Sequence, residues 1–213
     1  MASVLTTLEA VNSILRMLGR RPVSSLDPAN LAPDAAFALQ EIETVNRQVQ
    51  DQGWFFNIER AVQLPKNVSD RVPVTDDVAR VETPRRGPWG TTSFWFNTEF
   101  IIRTHPTDGR CLWDKSAQAR DEDPFDLSRF AEVRVDLVRL LDFDETPDSF
   151  RHYVMVRAGR NVQARILGDP ALYRFSMDDE ARALQVLARE ELGTSQANAR
   201  NTDVARNILR RRY

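Results

Sequence analysis

Val45-Asn46-Arg47-Gln48-Val49-Gln50-Asp51-Gln52-Gly53-Trp54-Phe55-Phe56-Asn57 decides the fold, because two periodicities meet inside it. Upstream of Gly53, Leu39, Ile42, Val45, Asn46 and Val49 recur at three- and four-residue steps, which places them on one face of a helix running to about Gln52. Gly53 supplies the stop. Downstream, the aromatic run Trp54-Phe55-Phe56 leads into alternating or β-branched stretches at Ala61 to Leu64, Phe94 to Phe96, Glu99 to Arg103 and Val133 to Val138. Six prolines between Pro65 and Pro124 punctuate this region, and Asp108-Gly109 predicts a hairpin turn between Ile101-Ile102 and Cys111-Leu112-Trp113. Trp54, placed directly after a helix stop, is expected to be a core anchor locking the second helix to the β-rich region, with Phe56 beside it. Phe94 to Phe96 reads either as core or as a stacking platform for bases or sugars.

Helical patterns flank this middle on both sides. Thr6-x-x-Glu9 has capping-box spacing, and Leu8, Val11, Ile14, Leu15 and Leu18 follow at helical steps before Gly19, predicting a first helix over about 5–18 that pairs antiparallel with the second. Helix returns with Thr146 as N-cap and Pro147 at the first helical position, carrying Phe150, Tyr153, Val154, Ala158, Val162 and Ile166 to a stop at Gly168-Asp169-Pro170. A fourth helix begins around Leu172 and Phe175, presents Met177, Ala181, Leu184, Ala188 and Leu192 as its stripe with Leu187 widening the face, and ends at Gly193. The expected fold is α+β: an antiparallel bundle of about four helices with an inserted β-rich domain and a C-terminal tail. The expected divisions are 1–57 (helical pair), 58–141 (β-rich domain), 142–193 (helices completing the bundle) and 194–213 (linker and basic tail). Only Gly159, inside the third helix, has no turn or cap to explain it.

Composition removes many function classes. The 213 residues carry 29 Lys+Arg against 31 Asp+Glu, a net charge of −2, so no global field points to nucleic acid or an anionic membrane. Cys111 is the lone cysteine and His105 and His152 the only histidines, which leaves little material for a zinc site, a disulfide or a histidine-centred triad. No GxGxxG, P-loop or GxSxG is present. No stretch is long and apolar enough to insert in a membrane, and Met1 to Leu8 has no basic start followed by an apolar run, so a cytosol-like site of synthesis is expected. Asp121-Glu122-Asp123 and Asp142, Asp144, Glu145 are the only candidates for paired catalytic carboxylates. The first group reads as a solvated loop, and the second suits the positive end of the third helix. No catalytic, metal or cofactor residue is therefore assigned; a carboxylate-dependent polysaccharide or peptidoglycan hydrolase is the rival reading.

The overall charge conceals polarity. Residues 121–150 hold ten acids and three Arg, whereas 197–213 hold five Arg and one Asp. The separation of like charges predicts that Asp121, Glu122 and Asp123 meet arginines such as Arg151 and Arg157 on a neighbouring copy, while Arg157 and Arg160 read equally as partners for acids on other segments of the chain. In the tail, Val204, Ile208 and Leu209 form a narrow apolar stripe among Arg206, Arg210, Arg211, Arg212 and Tyr213, enough for a short helix in a partner's groove. Contact with DNA and a terminus without a role are the competing uses.

Three blocks carry a family resemblance: Ala10-Val11-Asn12, Ile14-Leu15, Leu18-Gly19, Pro22-Val23-Ser24, Leu26; then Asn46-Arg47, Val49-Gln50, Gly53-Trp54, Phe56-Asn57, Leu64-Pro65; then Pro147, Phe150-Arg151, Arg157-Ala158, Arg160, Gln163, Arg165, Gly168. In order and spacing they resemble the tail tubular protein A family of short-tailed bacteriophages, the T7-like head-to-tail adaptors. The resemblance implies a virion structural protein without catalysis or cofactor, made in the host cytoplasm. It further implies a ring homo-oligomer, a dodecamer, between the portal protein and a tail nozzle of the tail tubular protein B kind. DNA would pass through its lumen during ejection.

Overall fold

The computed structural model describes residues 4–83, 99–166, 168 and 170–194, and the chain within it divides into two compact units. One is helical and discontinuous in sequence, built from 1–56 and 141–213; the other, 57–140, is β-rich. The fold is mixed α+β, with four α-helices and five strands among the described residues. Phe94 to Phe96 and the tail from Val204 to Tyr213 lie outside the described residues.

The helical unit starts with α1 (Thr7–Met17). Its capping box forms as the spacing requires: the Thr6 hydroxyl accepts from the Glu9 N–H and the Glu9 carboxylate accepts from the Thr6 N–H. At the other end Gly19 takes φ +68°, and the Arg20 N–H reaches back to the Leu15 carbonyl at 2.8 Å, closing a Schellman turn. Helix α2 (Pro33–Gln50) opens on proline and is ended by Gly53 at φ +73°. Helices α3 (Asp148–Ile166) and α4 (Pro170–Thr194) complete the unit. Ile14, Leu15, Ile42, Val45, Val49, Phe150, Val154, Ala158 and Leu187 share one core. Trp54 joins it at 1% exposure, with its indole N–H donating to the Val49 carbonyl at 2.7 Å and its ring edge-on to Phe150; Phe56 meets the same Phe150 edge-to-face at 4.8 Å between ring centres. Gly159 lies where α3 packs on α1, and a Cβ there would stand 3.1 Å from the Met17 sulfur and 3.5 Å from Ile14.

In the β unit, β1 (Ile58–Leu64), β2 (Val78–Glu82) and β5 (Val133–Arg139) form an antiparallel sheet with β5 in the centre. β1 carries a bulge between Glu59 and Val62, where Ala61 takes φ 51° and its N–H donates to the Asp136 carboxylate at 2.8 Å. β3 (Phe100–His105) and β4 (Gly109–Asp114) form the hairpin, with His105 opposite Gly109 at φ +70°. Val72, Phe100, Leu112, Leu127, Val133, Val135 and Leu137 make a separate, smaller core.

Four details differ from the sequence reading. Strand β2 went unpredicted; its two inward residues, Val78 and Val81, are too few to show a period. Helix α3 begins one residue later than expected, because Thr146 closes a short 3₁₀ turn, Phe143–Glu145, donating its hydroxyl to the Phe143 carbonyl, rather than capping α3. Helix α4 continues through Gly193 to Thr194. Its buried line is Ala183, Leu187 and Glu191, whereas Met177 and Leu192 of the expected stripe stay 48% and 42% exposed. Both lines have helical period, and packing on α3 selects the first.

Candidate functional site

The acidic loop of the β unit is organised from beneath by one carboxylate. Asp114 ends β4 with no exposed surface. It accepts from the Ser116 N–H at 2.9 Å and hydroxyl at 2.6 Å, from Arg120 at 3.0 Å, and from Arg129. Burial pushes the Asp114 carboxyl up, but the Ser116 bonds together with Arg129 and Arg120 outweigh it, so the group ionises below its ordinary range. Residues 115–130 thus wrap a fixed charge. Asp121, Glu122 and Asp123 sit exposed at the tip: Asp121 at φ 59°, Glu122 accepting from Arg120 at 2.8 Å, and Asp123 accepting from the Phe125 N–H. Sequence reasoning missed Asp114 and its two arginines. The available signal was a carboxylate directly following the apolar run Cys111-Leu112-Trp113.

The arginines expected to face a neighbour have partners within their own chain. Arg151 donates to the carbonyls of Thr146 and Leu5, both at 2.8 Å, and so ties α3 to the segment before α1. Arg157 donates to the Tyr153 hydroxyl at 3.1 Å and lies 3.9 Å from Glu180 on α4, with Arg160 adjoining the same carboxylate.

The sequence assigns the acids between β5 and α3 to the start of α3, and this needs correcting for Asp144. Its carboxylate accepts from the Thr7 N–H at 2.8 Å, while Asp148 accepts from the Leu5 N–H at 2.9 Å; both serve the positive end of α1. Asp142 and Glu145 cap the 3₁₀ turn reciprocally. Two buried amides fix the chain nearby: Gln50 accepts from the Leu141 N–H and donates to its carbonyl, which also accepts from Asn46. These acids are occupied as caps, and among the described residues no group of three or more His, Cys, Asp or Glu is placed to hold a metal.

His105 accepts at Nδ1 from Thr107, lies 3.2 Å from Asp108 and packs edge-on against Phe125. Arg71, bonded to Asp108, holds that carboxyl below its ordinary range. A groove of about 500 Å³ in the β unit has an apolar lining that includes Leu64, Val74, Val78 and Leu137. Its charged groups are committed to each other: Arg139 bonds both Asp77 and Glu59. The site residues thus form caps, clamps and one braced acidic loop.

Residues 8–197 match the tail tubular protein family. The chain belongs to that family. It is a structural protein of a bacteriophage tail, a virion component that assembles with other virion proteins. No curated protein matches the chain in sequence. No helix among the described residues is long and apolar enough to cross a membrane.

Proposed function

We propose that this tail tubular protein is the head-to-tail adaptor: a ring of copies, twelve by the family resemblance, joining the portal to the tail nozzle and lining part of the DNA ejection channel. The observation that carries the reading is the family match across 8–197, which takes in both halves of the helical unit and the β insertion together. Lateral contact uses the braced acids Asp121, Glu122 and Asp123 against the guanidinium donors left over on Arg151 and Arg157 of the next copy. Exposed pairs of this kind contribute only about 0–1 kcal/mol each, so ring mass should fall as salt rises. The tail residues Val204, Arg206, Ile208, Leu209, Arg210, Arg211, Arg212 and Tyr213 dock on the portal.

The deciding experiment measures the native mass of the full chain alone and after mixing with portal rings. Deleting 197–213 should leave the melting temperature unchanged and weaken portal binding. Equal binding by the truncated chain would remove the docking role, and no association of the full chain with portal would remove the adaptor reading. The protein is proposed to be non-enzymatic. Turnover of peptidoglycan, capsular polysaccharide or DNA that a single substitution at Asp121, Asp123, Asp142 or Asp144 abolishes would favour a hydrolase.

A further inference from the structure

The apolar stripe left open on α4 is matched to a copy of itself. Met177, Ala181, Leu184, Ala188 and Leu192 fall within an arc of about 80° along roughly 22 Å of helix. Met177 and Leu192 are 48% and 42% exposed, Ala181 is exposed, and Leu184 and Ala188 are half-buried on the margin next to α3. Read from either end the stripe runs large, small, large, small, large. An antiparallel second copy therefore sets Met177 against the partner's Leu192, and Ala181 against the partner's Ala188. Leu184 then meets its own counterpart at the two-fold axis, and the alanines let the helices approach closely.

Charge selects the same register. Asp178 and Arg189 lie on one flank of the stripe, eleven residues apart. Neither side chain has a partner within its chain among the described residues, while the neighbouring Arg182 is taken by Asp179 at 3.3 Å. The two-fold operation that pairs Met177 with the partner's Leu192 keeps this flank on the same side. It brings each Asp178 beside the partner's Arg189, twice per dimer. We propose that α4 is a symmetric self-association surface, through which two copies pair antiparallel when they are off the virion. This goes beyond the adaptor reading. Contacts around a cyclic ring join two different patches, whereas this pairing joins one patch to itself, so it is a contact of a different symmetry from the ring's. One helix face per copy is small beside a standard protein interface, so the dimer should be weak and concentration-dependent.

Sedimentation of the full chain over a wide concentration range tests this. A monomer–dimer equilibrium is expected. Asp178→Arg should weaken it about tenfold by setting two arginine pairs in like-charge contact, and adding Arg189→Asp should restore it. Both positions are exposed, and an unchanged melting temperature will show that the fold is intact. A strictly monomeric full chain, or dimerisation indifferent to Asp178→Arg, overturns the pairing. So does a chain cut after residue 196 that dimerises where the full chain does not, because the occupant of the stripe is then its own tail. Portal assembly is scored separately with wild type and Asp178→Arg. If neither assembles on portal, the adaptor reading falls and the dimer measurement stands.

Discussion

The helical and β-rich units hold together by different means. The helical unit has a continuous core from Ala10 to Leu187, in which Trp54, Phe56 and Phe150 interlock, and its buried amides Asn46 and Gln50 bond the backbone N–H and carbonyl of the single residue Leu141. The β unit has a smaller core surrounded by ion pairs: Arg139 bridges Glu59 and Asp77, Arg71 holds Asp108, and Arg120 and Arg129 converge on Asp114. Hydrophobic burial is indifferent to pH and strengthened by excluded salts, whereas charge networks answer to both. One chain therefore combines a unit held chiefly by apolar burial with a unit that leans more on charge, although ion pairs such as Arg160–Glu180 and Arg165–Glu41 also brace the helical unit.

Trp54→Ala attacks the first half of that contrast and carries the largest expected effect, about 3–5 kcal/mol, since the indole is fully packed and its N–H bonded. Hydrogen exchange should show the loss in the helical unit; loss confined to residues 57–140 would invert the comparison. Asp114→Asn probes the other half at about 1–3 kcal/mol, because it removes the charge on which two guanidinium groups converge. Asp114 ionises more readily folded than unfolded, so its stabilising contribution is complete above its unfolded value of about 3.9 and fades as pH falls through the lower folded value. Acid titration should loosen the wild-type β unit before the helical unit and act less on the Asp114→Asn variant; parallel loss in both proteins would show that other carboxylates dominate. The smallest effect belongs to Gly159→Ala. The new methyl meets the flexible end of Met17, while alanine gains up to about 1 kcal/mol of helix propensity, so stability should move by less than about 1 kcal/mol. A larger loss, read by thermal melting, would mean that α1 and α3 cannot give way there.

What could be read in advance divides along the reach of the interactions. The capping box at Thr6 and Glu9, the Gly19 and Gly53 stops and the turn before Gly109 are set by neighbours in sequence, and residue order alone discloses them. The role of Asp144 in capping α1 crosses 137 residues and has no local signature. Two adjacent lines at helical period run along α4, and the more apolar one is not the one α3 covers: the buried line Ala183, Leu187 and Glu191 ends in a carboxylate. Among candidate site residues, the burial of Trp54 was legible because a large aromatic after a helix stop has few other places to go, but its packing partner Phe150 on α3 was not. The cluster on Asp114 was not, since Arg120 and Arg129 converge on it only after a 3₁₀ turn, Ala117–Arg120, and a loop have reversed the chain.

The discontinuity of the helical unit also sets a schedule for synthesis. Helices α1 and α2 leave the ribosome first with Trp54, yet the rest of their core, Phe143 and helices α3 and α4, follows only about a hundred positions later. At roughly 5–20 residues per second, their apolar faces wait on the order of 5–20 s for a partner, while the whole β unit emerges and can fold in between. During that interval the nascent N-terminal pair presents Ile14, Ile42 and Val49 without their covering helix, which makes it a natural client for a chaperone.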